Sequence, residues 1–165
     1  MVHSFIIAAV TADGFIARDP SQPSTDWTSK EDKKHFMELT KRAGVVVMGS
    51  KTYETFRRPL KDRKNIIYSR TKKFEGTEST SESPQELFTR LEKEGFKEVA
   101  ICGGGSIYTL FLENKCVDKI YLTIENKIFG QGVKLFDKSL DVNLELVGNT
   151  KLGENTVLLE YNVIK

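Results

Sequence analysis

The chain has 165 residues, the size of one domain, and 39% of them are hydrophobic, enough for one packed core. Charged residues make up 29% with both signs interspersed, and a net charge of +2 with no basic block gives nucleic-acid binding no footing. The opening apolar run, VHSFIIAAV, is stopped by Asp13 and Gly14. It is too short to span a membrane and lacks the basic start and cleavage site of a signal peptide, so a cytoplasmic protein without membrane contact is expected.

In chain order, β-branched apolar character predicts a first strand at Phe5–Val10, followed by a Pro/Ser/Asp-rich loop at Arg18–Asp26. Helical spacing covers Lys30–Ala43, a strand follows at Val45–Met48, then a helix at Lys51–Phe56 and a strand at Asn65–Ser69. Thr71–Glu82 reads as a polar loop. Pro84–Glu94 reads as a helix opened by Pro84, whose missing N–H would be unpaired there in any case. A strand at Glu98–Cys102, a helix at Ser106–Leu112 and a strand at Lys119–Ile124 complete the alternation. The last two strands, Leu144–Val147 and Val157–Val163, are joined by the turn-rich Val147–Thr156, too short for a helix. With no repeat and no linker, residues 1–165 form a single domain of the α/β class. The expected architecture is three layers, helices covering both faces of a mostly parallel sheet of about eight strands, with an antiparallel C-terminal hairpin at its edge. Ligands of such sheets bind beyond the carboxyl ends of the strands.

Three constellations fall near those ends. Asp32, Phe36, Leu39 and Ala43 share one helix face, so a carboxylate stands on the apolar, inward side. Asp32 lies three residues beyond Ser29, so it either completes a capping box or serves a cleft where burial tunes its protonation. Val47–Thr52 runs from a strand through Gly49 into a helix start, either an ordinary turn or a place where free N–H groups meet phosphate. Cys102–Tyr108 puts three glycines at another strand-to-helix junction, letting backbone approach a ligand at a cost in chain entropy. It is neither a GxGxxG fingerprint nor a Walker loop. Cys102 and Cys116 have no metal-type spacing and read as reduced, buried thiols, and no metal site is expected. The two histidines, His3 and His35, have no evident nucleophile partner, His35 standing on the exposed flank of its helix, so acyl transfer and zinc hydrolysis are poorly supported.

Together these segments resemble dihydrofolate reductase. Trp27, Asp32 five residues on, Phe36 four beyond that, Met48-Gly49 at a strand end, Thr52-Tyr53-Glu54, the RPL-x-x-RKNII run at Arg58–Ile67, GGG-x-x-Tyr at Gly103–Tyr108 and YLT at Tyr121–Thr123 follow the family's order over nearly the whole chain. The resemblance implies NADPH as cofactor and dihydrofolate as the small-molecule substrate, in tetrahydrofolate biosynthesis and one-carbon metabolism, by a monomer or homodimer open to antifolates. Hydride would pass to pterin C6, with protonation at N5 by a water. Asp32 would hold the pterin's amino group and ring nitrogen, with Thr123 bonded to the same carboxylate and Trp27 ordering water nearby. Ala8, Phe36, Phe56, Leu60 and Cys102 would line the substrate pocket, and Arg63 would grip the glutamate tail's α-carboxylate. Ala9 and Ile16 would lie near the nicotinamide. Gly49, Ser50, Lys51 and Thr52 would embrace the pyrophosphate together with Gly103, Gly104, Gly105, Ser106, Ile107 and Tyr108. Ser69 ends the strand before Arg70, which would meet the 2′-phosphate. In relatives the Gly103–Gly104 bond is cis.

The chain also departs from that pattern. Lys33 stands where an apolar residue often faces substrate, Ser29 where Leu is usual, Asp26 where a Pro precedes the Trp, and Ser50 where Arg often follows Met-Gly. Two runs, Thr11–Ala17 (TADGFIA) and Gly130–Phe136 (GQGVKLF), resemble instead the pyrimidine reductases of riboflavin biosynthesis, which reduce a ribosyl sugar with NADPH on the same fold. A non-catalytic nucleotide-binding module would explain the glycine motifs and Arg70 but not Asp32 with Thr123.

Overall fold

The computed structural model describes residues 1–165. One sheet of eight strands organises the chain. It is formed by β1 (His3–Val10), β3 (Val45–Gly49), β4 (Lys64–Tyr68), β5 (Glu78–Thr80), β6 (Glu98–Ile101), β7 (Lys119–Ile124), β9 (Asn143–Gly153) and β10 (Thr156–Ile164), in the order β5-β4-β3-β6-β1-β7-β10-β9. All neighbours run parallel as far as β7, and β10 and β9 are antiparallel. A separate ribbon pairs β2 (Phe15–Ala17) with β8 (Val133–Lys134). The helices are α1 (Lys30–Ala43), α2 (Ser50–Phe56), α3 (Pro84–Lys93) and α4 (Gly105–Glu113).

Strand periodicity divides the interior into two cores. Ile6, Ala8, Val45, Val47, Ile66, Val99 and Ile101 point to one face, where Leu87 and Leu91 of α3 and Ile107, Phe111 and Leu112 of α4 cover them. Their chain neighbours Phe5, Ile7, Val46, Met48, Ile67 and Ala100 point to the other, under Phe36, Leu39 and Ala43 of α1 and Tyr53 and Phe56 of α2. A slip of one residue in any central strand would exchange these two sets, so the register is strongly specified. The α/β sandwich with its antiparallel edge hairpin is the expected one. Both cysteines are free and buried. No helix is long and apolar enough to cross a membrane.

The differences lie in short or exposed elements. Part of the predicted loop Thr71–Glu82 is β5, a three-residue edge strand paired with β4. Val147–Thr156 is mostly strand, because β9 continues to Gly153 and only Glu154-Asn155 turn. Within Arg18–Asp26, Ser24–Asp26 form a single 3-10 turn. His35 is half-buried, its ring 5.8 Å from Tyr121, instead of lying on an exposed flank; burial lowers its pKa.

Candidate active site

Several chain segments meet beyond the carboxyl ends of β1, β3 and β6 around one cavity of about 1000 Å³. That is the upper range for a small-molecule pocket, with room for more than one ligand. Ala8 and Ala9 end β1 on its floor, where their small side chains leave space. The α2 start contributes Gly49, Ser50, Lys51 and Thr52, and the α4 start contributes Cys102 through Tyr108. Asp32, Phe36 and Phe56 form the wall opposite, and Ile16 joins Pro20, Gln22, Ser24 and Thr25 of the loop Arg18–Asp26 in closing it.

The two glycine junctions are built alike. Neither α2 nor α4 has a side-chain cap, since Gly49 and Gly104 hold the N-cap positions, so their first N–H groups are open to the cavity. A Cβ on Gly104 would sit 3.2 Å from Thr52 Oγ1, and one on Gly49 3.2 Å from Ile107 Cγ1, so the helix starts converge too closely for side chains. Gly103 has φ +115, a conformation side-chain-bearing residues rarely adopt, and the Gly103–Gly104 bond is cis. The Tyr108 hydroxyl donates to the Ile7 carbonyl at 2.8 Å, pinning α4 to β1. Lys51 and Lys134 add positive charge at the cavity. This cradle of uncapped N–H groups, bare backbone and cations fits the pyrophosphate of a dinucleotide.

Asp32 is the one acid buried in the cavity wall. Ser29 caps α1 by accepting from the Asp32 main-chain N–H at 3.1 Å. The other half of a capping box is missing: the Ser29 main-chain N–H donates to Glu125, not to Asp32, and the Ser29 hydroxyl donates to Glu125 Oε1 at 3.0 Å. The Asp32 carboxyl is therefore left to the cavity. Burial pushes its pKa up to about 6, hydrogen bonding with the Thr123 hydroxyl draws it back, the Glu125 carboxylate raises it, and Lys33 lowers it. Phe36 and Phe56 stack against each other nearby, centroids 6.2 Å apart and planes within 17°, and both present apolar surface to the cavity.

Several predicted residues sit behind this surface. Thr123 is buried beside Asp32. Trp27 packs edge-on against Phe129 with its indole N–H buried and unpartnered. Leu60 packs in the core beneath Phe56 and does not line the cavity. Arg63 also lies off the cavity lining. It is only 9% exposed. Its Nε donates to the Lys61 carbonyl at 2.7 Å and its Nη1 to the Thr40 hydroxyl at 2.8 Å, while Nη2 is buried with no partner. Ser69 accepts from the Lys72 N–H, and Arg70 is exposed just past β4; neither lines the cavity, although Tyr68 of the same strand does.

Glu125 and Tyr68 are absent from the sequence reading, and Gly130–Phe136 stands out there only by resemblance, not as part of the cavity. Glu125 was signalled only by an acid two residues beyond Thr123, on the same side of an extended chain. Tyr68 gave no sign beyond its place at a strand end. The Gly132–Ser139 segment reaches the cavity because β2 and β8 pair; a Cβ on Gly132 would come 2.3 Å from the Ala17 carbonyl.

Comparison with known proteins bears on this arrangement. The family model of dihydrofolate reductase matches residues 4–147. A putative dihydrofolate reductase of Caenorhabditis elegans is 31% identical over 177 residues, covering 97% of this chain and 91% of its own. The dihydrofolate reductase of Staphylococcus haemolyticus is 31% identical over 147 residues, covering 85% and 82%. Among solved structures, the Enterococcus faecalis dihydrofolate reductase complexed with NADP(H) superposes with a TM-score of 0.79 at 22% identity, over 99% of this chain and 97% of that one. A pyrimidine reductase-like protein of Corynebacterium diphtheriae superposes with a TM-score of 0.81 at 18% identity, over 99% and 92%, a likeness of fold. With the family model spanning most of its length, this chain belongs to the dihydrofolate reductase family of oxidoreductases.

Proposed function

We propose that the protein is an NADPH-dependent dihydrofolate reductase, forming 5,6,7,8-tetrahydrofolate from 7,8-dihydrofolate. The observation that carries this reading is the buried Asp32 carboxyl, left free of the capping box and lining the cavity beside the aromatic pair Phe36 and Phe56. An acid there, flanked by Thr123, suits the amino group and ring nitrogen of a pterin through a charge-assisted pair. The cofactor, when bound, supplies the hydride for pterin C6. The chain's residues do the rest. The α2 and α4 starts would hold the pyrophosphate, Ala9 and Ile16 would border the nicotinamide, and Lys51 with Arg70, exposed beyond the cavity lining, would meet the 2′-phosphate, favouring NADPH over NADH. Asp32 orients and polarises the pterin, N5 gains its proton from a water, and the loop Arg18–Asp26 shields the ring from bulk solvent.

Arg63 supplies the discriminating experiment. Its Nη2 has no partner in the chain but lies buried off the cavity lining, so a folate's glutamate tail reaches it only by displacing the groups that cover it. Arg63→Ala should weaken methotrexate-like inhibitors, which carry a glutamate, by roughly ten- to a hundredfold. Trimethoprim-like inhibitors, which lack it, should bind almost as before. Equal weakening of both, or of neither, removes Arg63 from the substrate site.

A second reading, reduction of a ribosylated pyrimidine, is favoured by one observation. The TADGFIA and GQGVKLF runs form a joint structure at the cavity rim. Asp13 accepts from the Gly130 N–H at 2.7 Å and the Phe129 N–H at 3.2 Å, and the following residues pair as the β2–β8 ribbon. That reading gives the Arg63 position no role.

A further inference from the structure

We propose that Glu125 is a positioning residue for the active site: it takes over the N-cap duty that Asp32 would otherwise perform, and so keeps the Asp32 carboxylate presented to the cavity. The inference rests on the reading of Asp32 as the substrate-facing acid and adds how that acid is kept available.

A helix whose cap is Ser29 and whose third residue is Asp32 is set to close on itself. The Ser29 hydroxyl accepts from the Asp32 N–H, and the Asp32 carboxylate would reach back to the Ser29 N–H. Helix α3 does this, with Ser83 accepting from Glu86 and the Glu86 carboxylate accepting from the Ser83 N–H at 2.8 Å. A carboxylate engaged in that way lies against the helix start and is stabilised as an anion by the helix dipole. Helix α1 completes only the first half. The Ser29 N–H and hydroxyl both go to Glu125, which comes from the end of β7 and is 2% exposed. The Glu125 N–H donates to the Val10 carbonyl at 2.8 Å, so the sheet holds the capping acid in place. The Ser29 hydroxyl gives its proton to Glu125 and accepts from the Asp32 N–H, which leaves no donor at the cap for the Asp32 side chain.

The consequence for Asp32 has two parts. Its carboxylate escapes the helix start, and a second buried negative charge stands near it. Lys33 of its own helix and the Thr123 hydroxyl act against that charge, and the Tyr108 hydroxyl of α4 is committed to the Ile7 carbonyl. An acid placed this way holds its proton to higher pH than one captured by a cap, as befits a group that must pair with a ring of variable protonation.

The test reads the Asp32 proton directly, by 13C titration of its carboxyl carbon, so that it can fail without touching the substrate assignment. The wild-type midpoint is expected at about 6, where burial pushes it. Glu125→Gln keeps an acceptor for the Ser29 N–H but removes the charge, and its midpoint should move part of the way toward the ordinary aspartate range. Glu125→Ala frees the Ser29 N–H for Asp32. Its midpoint should fall further, and kcat with dihydrofolate should drop with it. Midpoints unchanged in both variants would overturn the proposal. Should either variant fail to fold, hydrogen exchange of the Ser29 amide in the unaltered protein decides: slow exchange is expected, and exchange at the rate of an open loop would overturn it. The reading of Asp32 itself fails by another route, an Asp32→Asn variant that keeps its turnover.

Discussion

Helices α1 and α3 begin closed, whereas α2 and α4 begin open. Ser29 and Ser83 cap the first pair, and α3 adds Pro84 and the reciprocal bond from Glu86. Gly49 and Gly104 leave the second pair without a side-chain cap. A glycine cap is poorer than a serine cap by only about a few tenths of a kcal/mol, so each open start forgoes a small amount of stability. The open starts lie side by side on the cavity, the Gly49 N–H donating to the Gly103 carbonyl at 2.9 Å, and the closed α3 start lies outside it. Stability has been given up where N–H groups are wanted for a ligand and retained where none is. Helix α1 falls between the two: Ser29 caps it, but the N–H of Ser29 is taken by an acid from another element, which leaves the helix's own acid for chemistry.

The largest effect is expected at Asp32. Asp32→Asn keeps the shape and loses the charge, so turnover with dihydrofolate should fall by about 10²–10³-fold at neutral pH, and by less at low pH where more substrate is already protonated. Stability should move the other way. Burial raises the folded-state pKa of Asp32 from 3.8 to about 6, so the folded chain binds this proton more tightly than the unfolded one. The resulting penalty is absent below about pH 4, grows between pH 4 and 6 and is complete above. Asn carries no such penalty, so the variant should be more stable at pH 7 by up to about 3 kcal/mol, a gain that closes at pH 4. Denaturant unfolding at the two pH values checks it; a variant less stable than wild type at pH 7 would mean that the carboxylate is a structural group.

A smaller effect is expected from crowding an open start. A Cβ at Gly105 would lie 2.9 Å from the Lys134 carbonyl and 3.3 Å from the Leu135 carbonyl, main-chain atoms with no easy retreat. Gly105→Ala should cost about 1–3 kcal/mol of stability. NADPH affinity should fall too, because the start of α4 must move; titration of the cofactor against the variant measures this. The least effect is expected at the closed start outside the site. Ser83→Ala should lower stability by about 1 kcal/mol and leave turnover as it was. Loss of activity there would show that the two kinds of helix start are not functionally distinct.

How much was legible follows the same division. The bounds of α1 and β7 could be read because a helical stripe and a buried β-branched run each persist over several residues. The ribbon of β2 and β8 and the edge strand β5 could not, since two or three residues carry no period. The first part of β9 is predicted at Leu144–Val147, but its continuation to Gly153 was hidden for another reason: it is largely exposed and includes Gly148, Asn149 and Gly153, and pairing with β10 holds it extended. At the site, the glycine junctions and Asp32 stood out as local oddities. The burial of Arg63 against Thr40 and the bond from Ser29 to Glu125 join residues 23 and 96 positions apart, and only folding brings them together. The departure at Ser29 was visible in the sequence, but its partner was not.

The central claim is that this cavity reduces a folate. Purified protein should be given NADPH with dihydrofolate, and in a parallel reaction NADPH with a ribosylaminopyrimidine phosphate, while absorbance is followed at 340 nm. Rapid NADPH loss with dihydrofolate and none with the pyrimidine is the predicted result; NADPH loss with the pyrimidine alone, or with neither, would contradict it.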